Sequence, residues 1–519
     1  MRLCISFVKT VIKAIRLVHR YLGFALSLLF LVWFLSGLMM MYVSYPTLKS
    51  HQKLQQTPPI DLTTCLLTPA EAITRAGVTD SIKSIRLGMV LNRPVYRIVT
   101  LQNRQLSIYA DNPAILPYAS ESFARQLAQH WSHAGVQQVE KLTEIDQWMA
   151  AHRSQGYLPE VYRMQMGNEA GTYVYVSPFS NEVVQQVTAR QRLLAWLGPI
   201  PHWIYPTFLI RNRPVWSQIV IWVSIIGTLM CLAGLAMGFI RYQRKRPESL
   251  AFSPYKKRWF RWHHYTGFIF GLFAFTWVLS GLFSMSPFNW TPSARLSSQA
   301  TERWMGGPLN LTLFKVSPAA AYQKLSRELV LKEIQLIQWN GRPYYLALQD
   351  DHHTRVLAAD EVEANPFQTF ETQAIEEAIR KLEPKVAVLE SKVLDRYDAY
   401  YYAKNGEKRL PVLRTKLDTP EQIWYYVDLK TSQVVSKHQT LTRVERWLYH
   451  GLHSLDFDFL LNRRPLWDIT LIVLLLGGTA TSSTGLVLTW QWLRRKKAMK
   501  RKQTTVRKGA IQPVSERLK

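Results

Sequence analysis

The chain has 519 residues, of which 64 are Lys or Arg and 36 are Asp or Glu, so its formal net charge is +28. Only 19 % of the residues are charged, however, and 48 % are hydrophobic. The 18 Trp, 24 Tyr and 21 Phe exclude a disordered chain, and a nucleic-acid-binding protein would carry its charge across folded domains. The position of the charges is therefore more informative than their sum.

Four tracts lack Asp, Glu, Lys and Arg and are long enough to cross a bilayer, which requires about 20 apolar residues. These tracts comprise residues 21–48, 214–240, 262–294 and 469–493. From them we predict four transmembrane helices, at residues 21–45, 214–240, 262–287 and 466–493. The first tract is not followed by a small-x-small cleavage site, so we expect it to remain as a signal anchor.

The excess positive charge is concentrated in three short segments that flank these tracts. Residues 1–20 contain five Lys/Arg and no acid, residues 241–261 contain eight and one acid, and residues 494–519 contain eleven and one acid. The three segments carry +22, which leaves +6 for the rest of the chain. The positive-inside rule then predicts that both termini and the 241–261 loop are cytoplasmic. Residues 46–213 and 288–465 are predicted to lie outside.

The sequence contains an internal repeat with a period near 250 residues. Residues 17–38 match residues 261–282, with His19 aligned to His263. Residues 195–216 match residues 446–467, with His202 aligned to His453 and Gly234 further on aligned to Gly485. We therefore predict two duplicated halves.

Each outer segment shows signals for both helix and strand. Thr68-Pro69 and Ser317-Pro318 are typical of helix N-termini. Residues 173–184 and 425–435 alternate aromatic and β-branched residues around a polar turn, which predicts a hairpin. We therefore predict a membrane protein in which each half is a helix, an outer α+β domain and a second helix.

The repeated motif His-x-Tyr-x-Gly-Phe, the Leu-Ser-Gly-Leu that follows it and the outer helix-plus-hairpin units resemble the PepSY-associated transmembrane family. This family includes iron-regulated inner-membrane proteins and ferric-siderophore reductases that bind two b-type haems. The resemblance implies a bacterial inner-membrane location, PepSY-like periplasmic domains and two haem b groups. It also implies that the electron acceptor is a ferric siderophore on the periplasmic side.

Six of the 13 histidines lie at predicted membrane boundaries, namely His19, His202, His263, His264, His450 and His453. Neutral imidazole binds haem iron well, and an electron-transfer haem requires two axial ligands. The topology places His19 and His263 at the cytoplasmic rim, and His202 and His453 at the outer rim. Because a hydrocarbon core of about 30 Å separates the rims, we predict that His19 pairs with His263 and His202 with His453.

Other interpretations of these residues remain open at this stage. Each histidine could instead be an interfacial anchor, and His264 or His450 could replace its neighbour as an iron ligand. Gly23 and Gly267 lie one turn beyond the inner histidines, where they would allow a flat macrocycle or a neighbouring helix to approach.

The predicted function is electron transfer through two haems, leading to reduction of a ferric siderophore outside the membrane. The sequence has no Gly-x-Gly-x-x-Gly after a strand and no P-loop, so we expect a quinol or a separate reductase as electron donor. The three isolated cysteines, Cys4, Cys65 and Cys231, predict no disulfide framework. The alternatives are a non-enzymatic membrane sensor or regulator and a permease for iron or siderophore.

Overall fold

A computed structural model describes residues 2–62, 67–112, 114–150, 160–243, 253–403 and 408–509. Cys65 lies outside the described residues, as do residues 244–252 of the predicted inner loop and residues 510–519 of the predicted tail. The chain divides into two compact units. The first unit contains residues 1–44, 194–288 and 447–519, and the second contains residues 45–193 and 289–446.

Helices occur along the whole described chain. In chain order they are α1 (Arg2–Met40), α2 (Ser50–Gln56), α3 (Pro69–Arg75), α4 (Glu121–Ser132), α5 (Ala189–Leu197), α6 (Pro199–His202), α7 (Thr207–Ile210), α8 (Arg213–Gln243), α9 (Arg258–Ser284), α10 (Ser298–Met305), α11 (Pro318–Leu325), α12 (Thr372–Leu382), α13 (Thr440–Arg446), α14 (Leu452–Ser454), α15 (Asp458–Leu461) and α16 (Leu466–Gly509). A π-helical turn at Trp447–Gly451 precedes α14.

Four of these helices are long and apolar enough to cross a membrane, which confirms the prediction of four spans. The candidate spans are Ile5–Met40, Arg213–Tyr242, Arg258–Ser284 and Leu466–Met499. Helices α1 and α16 extend well beyond the charge-free tracts. Helix α1, for example, includes 19 residues before Tyr21. The reason is that Lys and Arg are good helix formers. A charged residue therefore ends the apolar stretch, but the helix continues through it.

The four long helices form a ring in the first unit. Helix α1 packs against α8 and α16, and α9 packs against the same two helices, so α1 and α9 face each other diagonally. Buried apolar side chains fill the interior, among them Phe30, Phe34, Trp277, Val278 and Leu474. The segment from residue 194 to residue 212, which the sequence assigns to the outer domain, belongs to this unit and carries His202.

The strands all lie in the second unit. They are β1 (Ile82–Val90), β2 (Arg93–Thr100), β3 (Gln105–Tyr109), β4 (Ile115–Leu116), β5 (Val136–Leu142), β6 (Val161–Met166), β7 (Tyr173–Ser177), β8 (Glu182–Val187), β9 (Glu333–Trp339), β10 (Arg342–Leu348), β11 (Thr354–Ala358), β12 (Val388–Leu394), β13 (Val412–Leu417), β14 (Trp424–Asp428) and β15 (Val434–His438). Two antiparallel four-stranded sheets have the orders β5-β6-β7-β8 and β12-β13-β14-β15. A third, seven-stranded sheet has the order β11-β10-β9-β1-β2-β3-β4.

The seven-stranded sheet joins the two outer segments of the chain. Strand β1 of the first segment pairs with β9 of the second, with Ile85 opposite Leu336. The predicted hairpins are confirmed as β7–β8 and β14–β15. Thr68 and Ser317 are confirmed as helix N-caps that accept a backbone hydrogen bond from the third residue of α3 and α11. The coarse architecture is thus a membrane protein with α+β regions.

Candidate functional site

Two pairs of histidines face each other inside the first unit. The ring centroids of His19 on α1 and His263 on α9 lie 6.1 Å apart, with an angle of 31° between the ring planes. The ring centroids of His202 on α6 and His453 on α14 lie 6.0 Å apart, with an angle of 77°. The four histidines predicted from the sequence are therefore paired as expected. Whether they bind iron stays a prediction.

Each of the four rings turns its Nδ1 atom toward a backbone carbonyl oxygen, and each of these oxygens belongs to a different long helix. His19 Nδ1 lies 3.2 Å from the oxygen of Met230 on α8, and His263 Nδ1 lies 3.2 Å from that of Thr481 on α16. His202 Nδ1 lies 3.2 Å from the oxygen of Trp33 on α1, and His453 Nδ1 lies 3.1 Å from that of Trp277 on α9. Because a carbonyl oxygen can only accept, Nδ1 must carry the proton in all four rings.

Three of the four rings have a second acceptor on the same side. The hydroxyl oxygens of Ser36, Ser280 and Thr484 lie 3.1, 3.0 and 3.0 Å from Nδ1 of His202, His453 and His263, respectively. Each hydroxyl donates its own hydrogen to the carbonyl three residues earlier, at 3.1, 2.9 and 2.8 Å. Each can therefore only accept from the imidazole. The corresponding position beside His19 is Ala233, which has no hydroxyl.

With Nδ1 protonated, the neutral imidazole carries its lone pair on Nε2, which is the form that binds a metal. Two imidazoles that hold one metal ion from opposite sides have ring centroids roughly 6 Å apart, since each metal–nitrogen bond is about 2 Å and the ring centre lies roughly 1 Å beyond the nitrogen. The distances of 6.1 and 6.0 Å match this value. Both pairs thus fit a bis-histidine iron centre.

A glycine follows each carbonyl by four residues and lies against the histidine ring. A Cβ at Gly234, Gly485, Gly37 and Gly281 would lie 2.7, 3.6, 3.6 and 3.7 Å from Cε1 of His19, His263, His202 and His453, respectively. Four residues make about one helical turn, so the carbonyl and the glycine share one helix face. At Gly234 the missing Cβ is required for the ring of His19 to lie this close to the helix, whereas the other three distances are ordinary contacts. In all four cases the carbonyl orients the ring.

Other features near the pairs also fit a flat, polar-edged group. The indole Nε1 atoms of Trp33 and Trp277 are buried and have no hydrogen-bond partner among the described residues. Buried donors of this kind require an acceptor. A Cβ at Gly23 would meet no described atom within 4 Å, and one at Gly267 would meet only Thr481, at 3.9 Å. Close helix packing therefore does not explain these two glycines.

The two histidine pairs lie at opposite ends of the helix ring. On α1, the residues that contact His202 are about 16 positions after His19, which corresponds to roughly 24 Å along the axis. The space between the two histidine pairs contains aromatic core residues. Among them, the ring centroids of Phe34 and Trp277 lie 5.8 Å apart. This separation agrees with the prediction that His19 and His202 belong to different centres.

The two alternative ligands, His264 and His450, face other groups. The ring of His264 lies 5.6 Å from that of Tyr255 and 6.2 Å from that of Phe268, and is stacked on the latter. His450 lies in the π-helical turn, with Nδ1 3.8 Å from a carboxylate oxygen of the fully buried Asp456.

The sequence reasoning missed the groups that orient the histidines. Each long helix contains a small residue followed by the glycine that faces a histidine, as Ser36-Gly37, Ala233-Gly234, Ser280-Gly281 and Thr484-Gly485. This recurrence was visible in the aligned halves, but nothing in the sequence connects these pairs with particular histidines. No group of three or more His, Cys, Asp or Glu side chains that could hold a metal ion occurs within the described ranges.

Comparison with known proteins agrees with the sequence motifs. No curated protein matches the chain. The family model described as the PepSY-associated TM region matches residues 16–324. This range covers more than half of the chain and contains His19, His202 and His263, together with two of the four candidate spans and most of a third. The chain therefore belongs to the PepSY-associated transmembrane family.

Proposed function

We propose that this protein is a di-haem, b-type electron-transfer protein of the bacterial inner membrane that reduces ferric siderophores on the periplasmic side. The observation that carries the proposal is the pair of facing imidazoles at each end of the helix ring, at 6.1 and 6.0 Å. The carbonyls of the long helices hold these rings as Nε2 ligands. When bound, haem supplies one-electron transfer.

The residues of the chain have distinct roles in this proposal. His19 and His263 would hold the inner haem, and His202 and His453 the outer one. Ser36, Ser280 and Thr484 orient three of the rings and exclude the wrong tautomer. Since these contacts recur in both halves of the chain, they support the interpretation that the halves are duplicates.

The basic flanks support an orientation with both termini in the cytoplasm. Electrons would then enter at the His19–His263 end and leave at the His202–His453 end. A quinol donor supplies two electrons and releases two protons, which is enough to reduce two ferric ions to ferrous ions. Ferrous iron is held weakly by siderophores and is released. A separate reductase is the alternative donor.

Spectroscopy of the purified protein tests the proposal. We expect b-type bands in the reduced-minus-oxidised spectrum and two haems per chain. Because the ring planes meet at 31° in one pair and 77° in the other, the two ferric centres should give distinct paramagnetic resonance signals. His19→Ala should remove one signal and His453→Ala the other, whereas His353→Ala on the exposed surface should remove neither.

Each alternative function corresponds to a different result. A colourless protein that still folds would favour the non-enzymatic sensor or regulator. Uptake of intact labelled siderophore into proteoliposomes without a reductant would favour the permease. Retention of both haems in His19→Ala and His453→Ala would refute the ligand assignment.

A further inference from the structure

A large cavity lies within the second unit, apart from the histidine pairs. Its volume is about 450 Å³, which is within the usual range for small-molecule sites. Both outer segments line it, through β1 and β2 of the first and β9 and β10 of the second. Apolar and aromatic side chains, including Met89, Trp131 and Leu346, form part of the wall.

The charged wall of this cavity is predominantly cationic. Five cationic side chains line it, namely Lys53, Arg86, Arg97, Lys332 and Arg409. The carboxylates in the wall are Glu182, Glu333 and Asp351. The cations therefore exceed the carboxylates by two, and an excess remains when Asp428, 3.8 Å from Arg409, is also counted.

Part of this charge forms a buried ion cluster. The carboxylate of Glu182 contacts Lys53 at 2.9 Å, Arg97 at 3.0 Å and Arg86 at 3.2 Å, and Arg86 also contacts Glu333 at 3.0 Å. Burial alone would raise the pKa of Glu182, but the three surrounding cations hold it below its usual value. Three cations share two carboxylates, so the cluster keeps a positive charge in a partly desolvated place, where an anion is favoured.

Two further cations are held away from the cluster. Lys332 Nζ donates to the carbonyl oxygens of Leu54 and Gln55 at the end of α2, at 2.8 and 3.0 Å. These carbonyls orient the ammonium group but do not neutralise its charge. The nearest carboxylate to Arg409 is that of Asp428 at 3.8 Å, which is beyond hydrogen-bond distance. Lys332 and Arg409 are therefore available to an anionic ligand.

From this charge balance we propose that the cavity binds an anionic, oxygen-rich small molecule. This inference rests on the proposed function where it names the substrate class, an iron chelate with net negative charge such as a catecholate or carboxylate complex. Aromatic catecholate rings would contact Trp131 and the apolar wall, and their oxygen atoms would face the cations. A cationic hydroxamate complex would be repelled by the same wall.

Equilibrium dialysis against gallium(III) complexes tests the inference, because gallium(III) is not reduced under these conditions and binding is measured without electron transfer. The probes are the trianionic tris(catecholate) complex and the monocationic ferrioxamine B analogue, with the full chain in detergent micelles. We expect the trianion to bind and its affinity to fall as salt rises from 50 to 500 mM, by roughly tenfold or more. We expect the cation to bind at least about tenfold more weakly.

Variants locate the binding site. Arg409→Gln and Lys332→Gln should each weaken binding of the trianion by at least about fivefold, which corresponds to about 1 kcal/mol. The matched control is Lys83→Gln, since Lys83 is exposed, contacts Asn103 and does not line the cavity. Preference for the cation, no binding of the trianion, or binding unchanged in both cavity variants would overturn the inference. If a variant does not fold, the inference is still tested by the salt dependence of binding to the unmodified protein and by its preference between the two probes.

The two proposals can fail independently. A protein that contains two haems but does not bind the gallium trianion refutes the cavity inference alone. A protein that binds the trianion but contains no haem refutes the proposed function and keeps the anion site.

Discussion

Gly234 on α8 lies closer to a candidate ligand than the other three glycines that face the histidines. A Cβ at this position would lie 2.7 Å from Cε1 and 2.9 Å from Nδ1 of His19. Ordinary carbon contacts begin near 3.4 Å, so in Gly234→Ala the ring or the helix must move by about 0.7 Å. Overpacking of this kind typically costs about 1–3 kcal/mol. A ring displaced by this distance also moves away from the Met230 carbonyl, 3.2 Å from Nδ1.

We therefore expect Gly234→Ala to lose the inner haem and keep the outer one. The measurement is the haem content per chain, by pyridine haemochrome absorbance, together with paramagnetic resonance of the ferric protein. Expected values are about one haem per chain and loss of the signal that His19→Ala also removes.

The matched controls are two other glycines. Gly485→Ala places its Cβ 3.6 Å from the ring of His263, and Gly238→Ala, one turn after Gly234, meets only Phe268 at 3.7 Å. Both contacts are ordinary, so both variants should keep two haems. A Gly234→Ala protein with two haems and unchanged signals would refute the argument that this glycine is needed for the position of His19.

Three further predictions concern the orienting and buried groups. Ala233→Ser should give His19 the second acceptor that the other rings have, and lower the reduction potential of the inner centre by roughly 40 mV, the equivalent of about 1 kcal/mol for one electron. Glu182→Gln should lower the free energy of unfolding by about 3–5 kcal/mol, because three cations then lose their buried partner. Burial lowers the pKa of His438 to about 4, below the unfolded value of about 6.5, so stability is full above pH 6.5 and falls by about 3 kcal/mol as the pH drops toward 4. His438→Gln should remove that loss.

Each of these predictions has a direct check. Spectroelectrochemical titration of Ala233→Ser should move one potential and leave the other, and movement of both or neither contradicts the contact. Denaturant unfolding of Glu182→Gln is compared with Glu121→Gln, whose exposed ion pair should contribute less than about 1 kcal/mol. Thermal unfolding between pH 4 and 7 is compared for His438→Gln and the exposed His353→Gln. An equal acid response in both variants would show that His438 is not the responsible group.

Local features of the sequence predicted much of the fold. The four spans follow from apolar length, and the N-caps at Thr68 and Ser317 follow from side chains that bond to their own helix. The hairpins at β7–β8 and β14–β15 follow from residues within a few positions of one another. Helix ends were less predictable, because the basic residues before Tyr21 continue α1 back to Arg2.

The sequence by itself predicted which histidines lie at the membrane rims and, through the repeat, which pairs to expect. Charge and hydropathy act locally, and the repeat aligns equivalent positions. Only the tertiary structure decided which carbonyl holds each ring, since His19 contacts Met230 from 211 positions away. It also decided that β1 pairs with β9 in one sheet and that cations from both outer segments line one cavity. Such contacts join residues that are distant in the chain, and no local pattern specifies which distant surfaces meet.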